Sequence, residues 1–182
     1  MLIPCVISHP HKILMSVSNL PKNVDEFGIR FVGVKLERIL VPVDFSACTL
    51  ETLRYATSLA ARFNMVVEVL HVIQPRLSRN EDARTYSGLI DTMKEVARDE
   101  LKRLVGVLRI SEGVDQVSAR IREGYARDVI VSEARFSKAS LIIMGTRNRS
   151  WLSKLLRRNT VRHVIQNSPC PVMVLRTGMI NF

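Results

Sequence analysis

Two stretches of the 182-residue sequence carry residue types and spacings suited to chemistry. The first is Arg38-Ile-Leu-Val-Pro-Val-Asp44, an apolar run that ends on a carboxylate, where an acceptor would meet the donors of a ligand. A turn or helix cap ahead of Ser46 would use the same carboxylate, and the residues alone leave both roles open. The second is Gly145-Thr-Arg-Asn-Arg-Ser-Trp-Leu-Ser-Lys-Leu-Leu-Arg-Arg-Asn-Thr160. A glycine such as Gly145 can take a positive φ and turn successive N–H groups onto an anion, and a following helix adds its positive N-terminus. Lys154, Arg158 and Arg162 recur every four residues, so they share one helix face, with Arg157 beside them. No acidic residue falls within 145–163, and an anion is the expected guest.

The remaining polar residues offer less. His9 and His11 flank a single proline and make a poor metal site. His71 lies inside an apolar run and reads first as a packed histidine and only second as a base. Asp44, Ser46 and His71 have the side chains of a triad, but Asp44 and Ser46 are too close in sequence to count as one without geometry. The chain lacks GxGxxG, GxxxxGK[ST], GxSxG and HExxH, so nothing points to catalysis or to a metal.

With 47% apolar and 24% charged residues, the chain has the balance of a folded, soluble domain. No apolar run approaches the roughly 20 residues of a membrane span, and His9-Pro-His11 breaks the opening apolar stretch short of a signal peptide. Three cysteines, Cys5, Cys48 and Cys170, form no CxxC pair and read as buried or free thiols in a reducing cytoplasm. The net charge is +10, and residues 118–182 hold 12 basic against three acidic side chains. That asymmetry suits nucleotide phosphates, nucleic acid, an acidic protein or an anionic surface, and equally suits a solvated basic face. At 5%, the aromatics are too sparse to interleave with the arginines, which argues against nucleic acid.

The elements that must position these residues alternate from residue 36 onward. A strand over Arg38–Asp44 leads to a helix capped by Ser46, with Leu50, Leu53, Ala56, Leu59, Ala60 and Phe63 on its apolar side. A second strand, Val66–Ile73, is followed by a loop over 76–85 and a long helix from Tyr86 to Leu108. The stripe of that helix is Leu89, Met93, Val96, Leu101, Leu104 and Leu108. The third strand, Val117–Arg122, alternates apolar and polar residues and should lie half-exposed at an edge. Gly124 turns into a helix carrying Val129, Ile130, Ala134 and Phe136. Leu141–Met144 is a central strand, a helix covers Leu152–Gln166, and Val172–Leu175 is the last strand. Right-handed crossovers make this an α/β fold with an open parallel five-stranded sheet and helices on both faces. Of the two strand orders such units allow, the half-exposed third strand and the proline-flanked fifth favour 3-2-1-4-5. Asp44 and Gly145–Trp151 then share one opening. Residues 1–35, with one strand-like piece at Lys12–Val17, fall outside the alternation and are expected to form a loosely packed arm, and 179–182 a tail.

Arg38–Ala47, Leu141–Trp151 and Ser168–Arg176, in that order, resemble the three most recognisable stretches of the universal stress protein family, over about residues 36–176. The spacing from Gly124 to Ile130 fits as well. The resemblance implies a Rossmann-like domain over 36–178 and a non-catalytic role in stress survival. It also implies a cytoplasmic homodimer paired through Val172, Met173, Val174 and Leu175. Members that bind ATP carry a strand-end aspartate and a spaced glycine loop. By position the adenine contacts fall on Pro42, Val43 and Asp44, with Val72, Met144 and Arg147 close by, and the first loop glycine on Gly145. The second glycine falls on Asn148, the third on Arg158, and the hydroxyl residue on Asn159, with Thr160 next. Asn148 tolerates the left-handed turn. Arg158 either fills the phosphate position or grips phosphate with its guanidinium. The loop is therefore degenerate, and ATP binding is expected to be weak or absent. Functional ATP binding, a nucleotide phosphohydrolase and a basic-face nucleic-acid binder stand as alternatives. An acidic partner protein is expected at the basic helix, and no membrane.

Overall fold

A computed structural model of the chain describes residues 36–74, 83–112, 116–146 and 159–176. Within them β1 (Arg38–Val43), α1 (Thr49–Phe63), β2 (Val66–Ile73), α2 (Ala83–Glu112), β3 (Val117–Glu123), α3 (Ala126–Phe136), β4 (Leu141–Thr146), α4 (Asn159–Asn167) and β5 (Val172–Arg176) follow in chain order. The five strands form one sheet in the order β3-β2-β1-β4-β5, every neighbouring pair parallel. Fold class and strand order agree with expectation.

Strand periodicity divides the core into two layers. Ile39, Val41, Val67 and Val69 face α1 and α2, where they meet Leu53, Ala56, Leu101 and Leu104. Leu40, Leu70 and Ile142 face α3 and α4, meeting Ile130, Ala134 and Val164. Each wholly buried Leu or Ile contributes about 1.5–3 kcal/mol relative to exposure. Asn64, at φ 51°, ends α1 in the left-handed conformation and sends the chain directly into β2. Gly124, at φ 130°, turns β3 into α3 in backbone space that side chains rarely enter.

Several local expectations are corrected. β1 ends at Val43, so Asp44 belongs to the turn beyond it. The cap position of α1 is Cys48, not Ser46, whose carbonyl accepts the N–H of Thr49. Helix α2 begins at Ala83, inside the expected loop, and ends at Glu112. Its buried stripe is Ile90, Ala97, Leu101, Leu104 and Leu108, while Leu89 and Val96 are exposed. The period was right and its phase slipped in the first half of the helix, where apolar residues occur on both sides. Phe63 and Phe136 are also exposed, at 36% and 73%. The helix expected over Leu152–Gln166 is described from Asn159, and the arm, tail and most of the basic segment lie outside the described residues.

β3 lies half-exposed at a sheet edge, in agreement with its polar alternation. What the alternation does not reveal is that Arg120 and Arg122 fold onto the α3 side of the sheet and meet buried acids. Glu68, with no exposed surface, pairs with Arg38 at 3.0 Å and with Arg120 at 2.7 Å. Arg120 also reaches Glu133 at 3.0 Å, which accepts from Arg122 Nε at 2.8 Å and Nη2 at 3.1 Å. Phe136 lies beneath the Arg120 guanidinium, 5.8 Å from ring centroid to Cζ, which explains an aromatic at an exposed position. A buried carboxylate is tolerable only with such partners. Replacing Arg120 by leucine leaves Glu68 and Glu133 each short of a cation. Because Arg120 is about one-third exposed, the expected loss is about 2 kcal/mol, below the usual cost of a broken buried pair. Urea unfolding with an unchanged slope checks this, and a loss under about 0.5 kcal/mol would mean that water already screens the pair.

Candidate functional site

Strands β1 and β4 are neighbours across the point where the winding of the sheet reverses. Their register pairs Ile39 with Leu141 and Leu40 with Ile142, and the ladder goes no further. By contrast, β1 pairs with β2 along its full length, and β4 pairs with β5 as far as Thr146 and Arg176. The ladder ends there because Pro42, whose position faces β4, has no N–H to give it; the crevice at the carboxyl ends of two strands at such a reversal is the usual ligand position in an open α/β sheet. Carried forward, the register sets Val43 level with Gly145 and Asp44 level with Thr146. The aspartate and the glycine singled out from sequence therefore stand at the same opening.

A tight turn holds Asp44 there. Its Oδ1 accepts the N–H of Ser46 at 3.0 Å, closing a turn two residues long. The turn places Phe45 at φ 55°, an uncommon conformation for a bulky residue. Compensation comes from the Phe45 ring, which stacks on His71 with centroids 4.1 Å apart and planes 25° off parallel. His71 Nδ1 lies 3.0 Å from the carbonyl oxygen of Val43. A carbonyl can only accept, so the neutral ring carries its proton on Nδ1 and keeps Nε2 as an acceptor. Burial lowers the pKa of His71, opposed by its bond to Val43 and by the nearby Asp44 carboxylate. The histidine braces the turn. Asp44 itself is exposed, and its turn role occupies one oxygen and leaves Oδ2 for a ligand.

Gly145 serves differently from expectation. It lies in β4 with no positive φ, so conformational freedom is not its purpose. A side chain there would instead overlap Thr52 Oγ1, with Cys48 Cβ and Thr52 Cβ also in contact. Thr52 is fixed because Oγ1 donates to the Cys48 carbonyl at 2.7 Å. The glycine thus lets the first turn of α1 settle against the end of β4, which sets one wall of the crevice.

Pro42, Val72 and Met144 are partly or wholly buried near the ends of their strands, with Val72 and Met144 on the α3 and α4 side. Helix α4 runs back from the carboxyl ends of the strands, so Asn159 and Thr160 begin it on the crevice side. His163, 3.2 Å from Asp128, ties α4 to α3. Arg147, Asn148 and Arg158 lie outside the described residues. Sequence reasoning missed Phe45, Thr52 and Arg176, the last level with Thr146 at the mouth. Cys48 is buried and Cys170 partly so, with its thiol pKa raised by burial against a hydrogen bond from Ser168. Among the described residues no group of three or more His, Cys, Asp or Glu is placed to hold a metal. No helix among them is long and apolar enough to cross a membrane.

A family model described as "Universal stress protein family" matches residues 35–176. The chain belongs to that family. Among curated relatives, Universal stress protein MJ0531 of Methanocaldococcus jannaschii is 30% identical over 143 residues, covering 77% of this chain and 82% of the relative. A universal stress protein family structure from Burkholderia pseudomallei superposes with a TM-score of 0.58 at 26% identity, covering 78% of this chain and 97% of the other. The structure of an Archaeoglobus fulgidus universal stress protein in complex with dAMP gives a TM-score of 0.55 at 22% identity, covering 77% and 98%. At that identity the last likeness speaks to fold alone.

Packing of Gly145 against Thr52 yields a double-mutant test. Gly145→Ala should destabilise the protein by about 1–3 kcal/mol through overpacking. Adding Thr52→Ala removes the obstructing oxygen and should recover part of that loss relative to the sum of the single effects. Strict additivity in thermal unfolding would show that the two residues do not press on each other.

Proposed function

We propose that this universal stress protein is a non-catalytic, cytoplasmic regulatory module whose crevice between β1 and β4 takes adenine nucleotides with weakened affinity. The observation that carries this is that Asp44 and Gly145 stand at the level carboxyl ends of β1 and β4, where the winding of the sheet reverses. A carboxylate oxygen on one lip accepts from the amino edge of a base. On the opposite lip, Gly145 admits the close approach of α1 and so shapes the wall that a ligand would meet. An adenine nucleotide is the guest read here by analogy with a protein of the same fold whose structure is a complex with dAMP. Affinity is weakened because Asn148, Arg158 and Asn159 stand where three residues of the family's phosphate loop would be glycine, glycine and a hydroxyl amino acid. A side chain in place of glycine keeps the backbone from closing on phosphate, and the basic residues of 147–162 replace directed N–H groups with diffuse charge. The module is a homodimer joined through Val172, Met173, Val174 and Leu175 of β5, an outer strand of the sheet. The basic segment 154–162 faces an acidic partner protein.

Freshly purified protein, denatured and chromatographed, should release no stoichiometric nucleotide. Calorimetric titration with ATP should then give a Kd on the order of 100 μM or weaker, abolished by Asp44→Ala. Stoichiometric release of bound ATP would overturn the weakened affinity, and unchanged binding by Asp44→Ala would place the site elsewhere. Phosphate release that disappears in Asp44→Ala would replace the binding module by a phosphohydrolase.

A further inference from the structure

At the edge of the sheet away from β5, β3 has no strand beyond it among the described residues. Which of its backbone groups are left over follows from two bonds at its ends. The carbonyl of Gln116 accepts from Val67, and the N–H of Gly124 donates to Ile73, so even-numbered residues of this register face β2. With a period of two, the N–H and C=O groups of Ala119, Ile121 and Glu123 point outward. Such a row is a template for a further strand.

Beside it lies a groove of about 640 Å³, lined by α2 and β3. Leu101, Val105, Val117 and Ile121 contribute apolar surface. The α2 wall carries Arg98, Lys102 and Arg109, all exposed, and among the described residues no acidic side chain lines the groove. Arg109 leans over the start of the edge, with Nη2 3.4 Å from the carbonyl of Val117. Of the other two cations, Lys102 makes an exposed pair with Asp99 at 3.6 Å. Edge strands are commonly protected by charges projecting from them, yet the arginines of β3 are turned inward to Glu68 and Glu133. The outward side is left with small and apolar residues next to a row of cations.

We propose that this edge receives an extended, acidic segment of a partner protein as a sixth strand. Its main chain would pair with Ala119 and Ile121, its apolar side chains would enter the groove, and its carboxylates would meet Arg98, Lys102 and Arg109. Charge selects the occupant. Residues 1–35 of this chain carry four basic and two acidic side chains, so the arm is of the wrong sign. Nucleic acid shares the charge but has no use for an apolar floor and a row of outward amides. The site is at the far edge of the sheet and is independent of nucleotide binding.

The probe is a fluorescein-labelled nonapeptide of alternating Glu and Val, titrated into the full chain, with a Lys and Val counterpart as control. Saturable binding is expected for the acidic peptide alone, weakened at least tenfold by Arg98→Glu with Lys102→Glu. Ala119→Pro, which removes one outward N–H at an edge position where proline is tolerated, should weaken it similarly. Amides of Ala119 and Ile121 should exchange rapidly in the free protein and become protected by the peptide. Three results would each overturn the proposal. Those amides could be protected already in the free chain, which would put the arm or a second copy there. Binding could be indifferent to the charge reversal, or a DNA duplex could protect the same amides as well as the peptide does.

Discussion

A doubly wound sheet must reverse its winding between two neighbouring strands, and there no crossover connection covers their carboxyl ends. In this chain the reversal falls between β1 and β4, whose ladder stops after Leu40 and Ile142. Everything assembled at the crevice depends on those two strand ends standing level, with Pro42 closing no further bond between them. The chain leaving β1 turns sharply at Asp44, and the first turn of α1 brings Thr52 against Gly145. The stacked pair of Phe45 and His71 then stabilises a backbone conformation that an aromatic residue would otherwise avoid.

The opposite end of the sheet is organised by charge. Glu68 and Glu133 are buried, and three arginines from β1 and β3 surround them. Ion pairs of this kind add little net stability compared with apolar packing, but they are unforgiving when one member is lost. Their structural effect is to fix how β3 and α3 sit against β1 and β2. They also hold the arginines of β3 on its α3 face, so one arrangement accounts for the bracing of α3 and, among the described residues, for the lack of charges from β3 on its α2 side beside the groove.

Much of this was legible in the sequence. Unbroken apolar runs such as Leu141–Met144, and β-branched stretches such as Val66–Ile73, announce strands because buried parallel strands need apolar side chains on both faces. Strand order followed from the polarity of β3 and the prolines flanking β5. Asp44 and Gly145 could be found because a carboxylate ending an apolar run and a glycine ending another are each unusual. What the sequence concealed are relations across space. Nothing in the letters couples Glu68 to Arg120 and Glu133, so the arginines read as solvated. Gly145 suggests a flexible turn, whereas its purpose is close approach by Thr52, a residue 93 positions earlier. The phase of the α2 stripe was lost because Leu89 and Val96 compete with Ile90 and Ala97, and only the neighbouring sheet decides between them.

The most direct test of the account is a backbone amide map of the protein titrated with ATP. If the carboxyl ends of β1 and β4 form the nucleotide crevice, the amides of Asp44, Phe45, Ser46 and Gly145 shift together along one saturating curve, while β3 stays still. Shifts confined to other parts of the sheet, with the Asp44 turn and Gly145 unmoved at saturation, would contradict it.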